Sequence, residues 1–180
     1  SSDVCSSDLV SDDYLQDLRN VLGEDADINT SGAECNSWVT HPWIYEERLH
    51  PTNWVADKSI RFLKTRDRTR PFFLMSSFVR PHQPLDPPKA YFDMYKDKEL
   101  RSPASGDWDP QNGAGAAGRI SDSIYGCCDA AMRKDAMAGY YAAITHVDHQ
   151  LGRILTTLKE DGVYDDTIIL STSDQDRKST

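Results

Sequence analysis

Three polar residues stand just past the ends of two apolar runs, where chemistry is commonly placed in layered α/β proteins. His82 follows the run at residues 72–79, and Asp174 and Gln175 follow the run at residues 167–173. A carboxylate and an amide carbonyl are hard oxygen donors of the kind that hold Ca²⁺ or Mg²⁺. An imidazole beside such a cation can donate to an anionic oxygen, either as the imidazolium or in the suitable tautomer. Each signal alone is weak, because an Asp-Gln pair after a strand commonly caps a helix or makes a turn. A lone histidine in a Pro-rich loop is commonly structural. Together they matter only if both runs are parallel strands whose carboxyl ends share one rim.

The runs that must position them have the length and boundaries of buried strands. Residues 72–79 (FFLMSSFV) and 167–173 (TIILSTS) are short, apolar or small, and bounded by polar breaks or turns. Between them, Met137, Tyr140, Tyr141, Ile144, Val147, Leu151, Ile154, Leu155 and Leu158 recur at three and four residues. That spacing predicts a long helix over about 133–160, ended by Gly162. A helix between two buried strands is a βαβ unit, so the expected class is α/β with a mostly parallel sheet flanked by helices.

Two further helices are expected upstream. Ser11 is placed to cap the first, with Asp12 and Asp13 at its positive end and Gly23 as its stop. Tyr14, Leu15, Leu18, Val21 and Leu22 form its apolar stripe. The second is expected over 52–65, capped by Thr52, with Val55, Ile60, Phe62 and Leu63 as its buried face. Residues 24–48 read as irregular, anchored by Trp38 and Trp43. Residues 80–88 carry four prolines and must leave the sheet as a rigid loop. A short aromatic turn is expected at 91–95, and residues 96–128 read as a long polar excursion.

Composition narrows the classes of function. The net charge of −9 and the absence of a Lys/Arg-rich run argue against a nucleic-acid partner. An acidic surface also suits a divalent cation, although it mainly confers solubility. No run of apolar residues is long enough to span a membrane. Cys5, Cys35, Cys127 and Cys128 contain no C-x-x-C pair and suggest no disulfide framework. Both ends look foreign. Residues 2–9 and 176–180 can be encoded by one sequencing-adapter oligonucleotide read in opposite directions, so segments 1–9 and 176–180 are set apart from the fold at residues 10–175.

Within 10–175, several ordered motifs resemble bacterial arylsulfatases. They are RPFFL at 70–74 with SFVRPHQP at 77–84, PPKAYFDMY at 87–95, YYAAITHVD at 140–148 with GRIL at 152–155, and DTII at 166–169 with TSDQ at 172–175. LHPTNWV at 49–55 fits as well. The resemblance implies an alkaline-phosphatase-like sulfatase fold, present here in part, and hydrolysis of sulfate esters on a sulfated small molecule or glycan. It implies Ca²⁺ (or Mg²⁺) as the metal, with Asp174 and Gln175 matching a ligand pair and His82 matching a sulfate-contacting histidine. It further implies a formylglycine nucleophile made from cysteine in a C-x-P/A-x-R motif, and a periplasmic or secreted parent.

The departures bear on activity. Cys35 is followed by Asn36-Ser37-Trp38 and Cys127 by Cys128-Asp129, so the nucleophile motif is absent from this chain. The early acidic ligands and a downstream lysine are not identifiable, and Asp176 stands where the family has glycine. A phosphonate or phosphodiester hydrolase on the same scaffold, and a non-catalytic binding domain, are the alternatives. Arg80 and Asp86 flank the His82 loop, where they would either touch substrate or pair with each other. His146 or Asp148 reads as a helix-packing group, since the two face apart on a helix, His149 reads as solvated, and His41 and His50 receive no role.

Overall fold

The computed structural model describes residues 12–28, 37, 39–101 and 130–173. Segments 1–9 and 176–180, the proposed cap Ser11, the proposed anchor Trp38 and most of the polar excursion lie outside those residues. Four α-helices and one 3₁₀ turn are present among the described residues: α1 (Asp13–Leu22), a 3₁₀ turn (Glu47–Leu49), α2 (Pro51–Thr65), α3 (Lys89–Phe92) and α4 (Ala130–Glu160).

The helix ends follow from local chemistry, with two corrections. Asp12, not Ser11, caps α1, its carboxylate accepting from the Tyr14 amide at 2.9 Å. Helix α2 starts one residue earlier than expected, at Pro51, whose fixed φ suits the first helical position. Its cap is therefore His50, whose Nδ1 accepts from the Thr52 amide at 3.1 Å, and Thr52 itself is helical and buried. Gly162 (φ +70°) ends α4 as anticipated. The Val163 amide donates to Leu158 O at 3.1 Å and the Gly162 amide to Lys159 O at 3.0 Å, the paired bonds of a Schellman motif.

Helices α2 and α4 pack along each other around Ala56, Leu63, Ile154 and Leu158. Asp161 fastens their carboxyl-terminal ends by bonding both Arg66 and Arg68 at 3.0 Å. Phe62 proves exposed, and Ala56 and Ser59 take the buried face with Leu63. In the first half of α4 the predicted stripe is rotated. Tyr140, Tyr141 and Ile144 are exposed, while Ala136, Ala138, Gly139, Ala142, Ala143 and His146 are buried. The cause is close approach: a Cβ on Gly139 would lie 2.7 Å from Thr40 Cγ2 and 3.3 Å from Leu85 Cβ. Small residues admit the neighbouring backbone there, and large ones would hold it off.

The two predicted strands form no ladder among the described residues. Residues 72–79 nonetheless alternate between half-buried and exposed, the two-residue period of an extended chain. Phe72, Leu74 and Phe78 pack on the α2/α4 core, and Ser76 Oγ lies 2.8 Å from Ser59 Oγ on α2. The opposite face, Phe73 and Met75, is 89% and 77% exposed. Ile168 and Leu170 are similarly bare at 88% and 89%. The physical reason is simple: a buried strand needs neighbours for its amides and carbonyls, and none of the described segments pairs with either run. One isolated parallel bridge joins Thr40 to Leu85.

Candidate functional site

The loop at 80–88 places His82, and it is built from both ends inward. Arg80 and Asp86, six residues apart, close into a fork: Arg80 Nε donates to Asp86 Oδ1 at 2.6 Å and its terminal nitrogen to Oδ2 at 2.7 Å. Both side chains are buried. The outgoing half of the loop is bolted to the segment before α2, where the His41 amide donates to Leu85 O at 3.1 Å and the Trp43 amide to Pro87 O at 3.0 Å. Trp43 is buried, as its anchoring role requires. The Arg80–Pro81 and Gln83–Pro84 peptides are both cis.

His82 stands at the half-buried tip of this clasp. Its amide donates to Val79 O at 3.1 Å, and its Nδ1 lies 2.8 Å from Gln83 O. A carbonyl only accepts, so Nδ1 carries the proton and Nε2 is the edge left for an external partner. The arrangement presents one oriented imidazole nitrogen at the exit of the extended run.

Beneath the loop lies a buried polar cluster that the sequence did not announce. His50 Nε2 lies 3.7 Å from Asp86 Oδ1, beyond hydrogen-bond distance, and has no hydrogen-bond partner. Since Nδ1 of His50 is spent as the acceptor of the Thr52 amide, Nε2 bears the proton of the neutral ring. Edge-to-face against it sits His146, whose Nε2 is 2.6 Å from Asn53 Oδ1. Tyr91 of α3 covers His146 with ring centroids 4.6 Å apart. His146 is thus the helix-packing group expected. His149 is exposed, though its Nδ1 lies 3.3 Å from Tyr91 Oη. The missed signal was local, a histidine before a helix-starting proline; the opposite charges bracketing the Pro-rich loop pair with each other, one of the two roles expected of them.

The electrostatics of the cluster are set by burial. Desolvation pushes His146 down to about 3, with the neighbouring His50 and His149 adding to it. Desolvation also lowers His50, and the Asp86 carboxylate opposes this. Asp86 is itself held below the usual carboxylate range: burial raises it, and His50 and Arg80 together more than offset that rise. The site therefore holds one buried ion pair and two neutral histidines.

Asp174 and Gln175, the predicted metal ligands, lie outside the described residues. Among the described residues no group of three or more His, Cys, Asp or Glu is arranged to hold a metal ion. His50 and His146 do not make such a site: one nitrogen of each ring is spent, His50 Nδ1 on the Thr52 amide and His146 Nε2 on Asn53 Oδ1. A shallow groove of 460 Å³ between α2 and α4, lined by Ile60, Lys64, His149 and Arg153 among others, does not include His82. No helix among the described residues is long and apolar enough to cross a membrane.

The architecture is that of the alkaline-phosphatase-like hydrolases. The crystal structure of a phosphonate monoester hydrolase from Agrobacterium radiobacter superposes with a TM-score of 0.62 at 27% identity, over 86% of this chain and 34% of that one. Within that class the chain belongs to the sulfatase family, whose description, Sulfatase, matches residues 18–178. It is 51% identical to an arylsulfatase of Clostridium perfringens over 163 residues, covering 91% of this chain and 34% of the relative. It is 31% identical to a sulfatase of Formosa agariphila, covering 68% of this chain and 24% of that protein. The chain thus spans about a third or less of the length of these relatives.

Proposed function

We propose that this chain is part of a sulfuric ester hydrolase in which His82 meets the sulfate group of the substrate. The observation that carries the reading is the orientation of His82. Its Nδ1 is fixed by Gln83 O, and its Nε2 is presented from a loop clasped by a buried ion pair. With Nδ1–H spent on Gln83 O, Nε2 donates only in the imidazolium; that donor, held in place before the reaction, would stabilise charge on a sulfuryl oxygen without reorganising. The identity to an arylsulfatase favours sulfate esters, on a small molecule or a glycan, as the substrate class.

Asp174 and Gln175 are proposed as two ligands of a divalent cation. Their carboxylate and amide carbonyl are hard donors that fit Ca²⁺ or Mg²⁺ better than a thiophilic metal. When bound, such a cation would polarise a sulfuryl oxygen as a Lewis acid. The family's formylglycine would be supplied by a C-x-P/A-x-R motif that this chain does not contain. The runs at 72–79 and 167–173 are proposed as parallel strands of the family sheet, with His82 and the Asp174-Gln175 pair at one rim. A periplasmic or secreted setting is the corresponding expectation for the parent.

The similarity to a phosphonate monoester hydrolase favours a second reading, with a phosphonate ester in the same position. The two separate in a longer protein that carries this segment together with the nucleophile. An aryl sulfate turned over with higher kcat/KM than an aryl phosphonate, and a His82→Ala variant that loses most of it, supports the sulfatase. Preference for the phosphonate, or indifference to His82→Ala, rejects it.

A further inference from the structure

We propose that Arg80 and Asp86 are positioning residues for His82: they do not touch substrate, and their two-bond fork fixes the ring that does. The proposal rests on the reading of His82 given above, and its first measurement is independent of that reading.

Arg80 lies within the turn that the His82 amide closes on Val79 O, and Asp86 belongs to the half of the loop bolted to residues 41–43. The fork therefore ties the free entry of the loop to its fixed exit. Both groups are too committed to serve a ligand. Arg80 is 7% exposed and spends Nε and a terminal nitrogen on Asp86, whose two oxygens both accept. His50 backs the fork from the amino terminus of α2, its Nε2–H facing Asp86 Oδ1 at 3.7 Å. The planar match of guanidinium and carboxylate sets distance and orientation together, which a lysine at the same place cannot do. A loop held only by charge would let the His82 ring exchange its Gln83 contact for solvent. A loop held by the fork keeps Nδ1 on Gln83 O and Nε2 outward.

The test reads the tautomer of His82 by ring ¹⁵N–¹H correlation in the 180-residue protein, with His82→Gln to assign the signal. His146, bonded to Asn53, reports in the same spectrum whether the core is intact. The wild-type ring is expected as the Nδ1–H form. Arg80→Lys keeps the charge and removes the fork, and Asp86→Asn keeps the shape and removes the charge. Both should leave the His146 signal in place and give His82 the averaged signal of a free imidazole. A variant with an intact His146 signal and a wild-type His82 signal overturns the proposal. If either single variant unfolds, Arg80→Met with Asp86→Leu replaces the pair by an apolar one of similar bulk and decides the matter by the same two signals. In a longer, active protein, Arg80→Lys should lower kcat by about 100-fold with little change in KM, the loss expected of a reacting group displaced by an ångström. An unchanged kcat overturns the proposal. A free His82 ring in a protein that turns over no sulfate ester would instead leave the positioning intact and reject the sulfatase reading.

Discussion

The imidazole of His146 meets that of His50 edge to face, with ring centroids 4.7 Å apart and both side chains about 1% exposed. Two histidines this close and this dry are tolerated because both are neutral. Their protonation must then oppose folding. For His146 the folded value is about 3 against an ordinary 6.5, so the stability linked to the neutral ring is fully present above pH 6.5. It is lost as pH falls from 6.5 towards 3, at up to about 1.4 kcal/mol per pH unit. His50 is shifted the same way and adds to the slope at the top of that window. The lowered carboxylates Asp17, Asp86 and Asp161 act in a lower one: their contribution is present above their ordinary value of 3.8 and fades as pH falls through their folded values. Urea midpoints should therefore drop between pH 7 and 5, before the carboxylates titrate. The drop should be smaller in His146→Gln, which keeps a donor for Asn53. Equal drops in the two proteins would refute this account.

The Arg80–Asp86 fork also predicts an asymmetry in stability. Removing one partner strands a charge in a site that excludes water, which costs about 3–5 kcal/mol. Replacing both by apolar residues of similar bulk removes the desolvation penalty with the attraction, and is often close to neutral. Asp86→Ala should thus lower the unfolding free energy much more than the double change Arg80→Met, Asp86→Leu. Chemical denaturation of the two variants checks it, and a double variant as unstable as the single one would contradict it.

Two glycines on α4 should respond with opposite signs to the same substitution. A Cβ added at Gly152 would meet nothing within 4 Å, so Gly152→Ala should stabilise by about 1 kcal/mol through helix propensity. Gly139→Ala gains the same propensity but places a methyl 2.7 Å from Thr40 Cγ2. Thr40 cannot easily turn aside, since its hydroxyl donates to Asp135 O at 3.0 Å. Overpacking typically costs about 1–3 kcal/mol, so the net change at Gly139 should be a loss. Thermal unfolding of both variants gives the two signs directly.

These contrasts show what was legible in the sequence. Helix existence was: α1, α2 and α4 all form, although Val21 and Leu22 of the expected α1 stripe and Phe62 of the expected α2 face are exposed. So were the stops at Gly23 and Gly162, where positive φ is required. The rotated face of α4 was not, since periodicity ranks residues by hydropathy and this face is chosen by the space that Thr40 and Leu85 leave. His82 was singled out by its place after an apolar run and by the resemblance of its loop. The Arg80–Asp86 pair was one of the two roles left open for those residues, whereas the backing by His50 and His146 was hidden, because those rings come from the residue before α2 and the middle of α4.

The outward face of the run at 72–79 predicts association. Phe73, Met75 and Val79 line up on one side of an extended chain, and Ile168 and Leu170 are as bare. Exposed apolar segments with unpaired backbone are templates for further strands. The purified chain should bind a hydrophobic dye and self-associate at micromolar concentration. Phe73→Lys with Leu170→Lys should reduce both while leaving the helical circular dichroism unchanged. A monomeric wild-type chain in sedimentation analysis would contradict the expectation.

Metal binding and turnover by the 180-residue chain should both be weak, for reasons that lie in donor count and chemistry. A carboxylate and one amide carbonyl fill fewer than half of the roughly six to eight oxygen positions that Ca²⁺ prefers, and water fills the rest poorly. Affinity should accordingly be weaker than micromolar by calorimetry, and Asp174→Asn should change it little against that background. Turnover needs a nucleophile as well. Neither Cys35 nor Cys127 sits in a C-x-P/A-x-R context, so the oriented His82 has no attacking group to assist. The chain should release no detectable phenol from an aryl sulfate at saturating Ca²⁺. Sub-micromolar Ca²⁺ binding would show that residues other than Asp174 and Gln175 complete the shell. Measurable hydrolysis would show that the chain carries a nucleophile of a different kind.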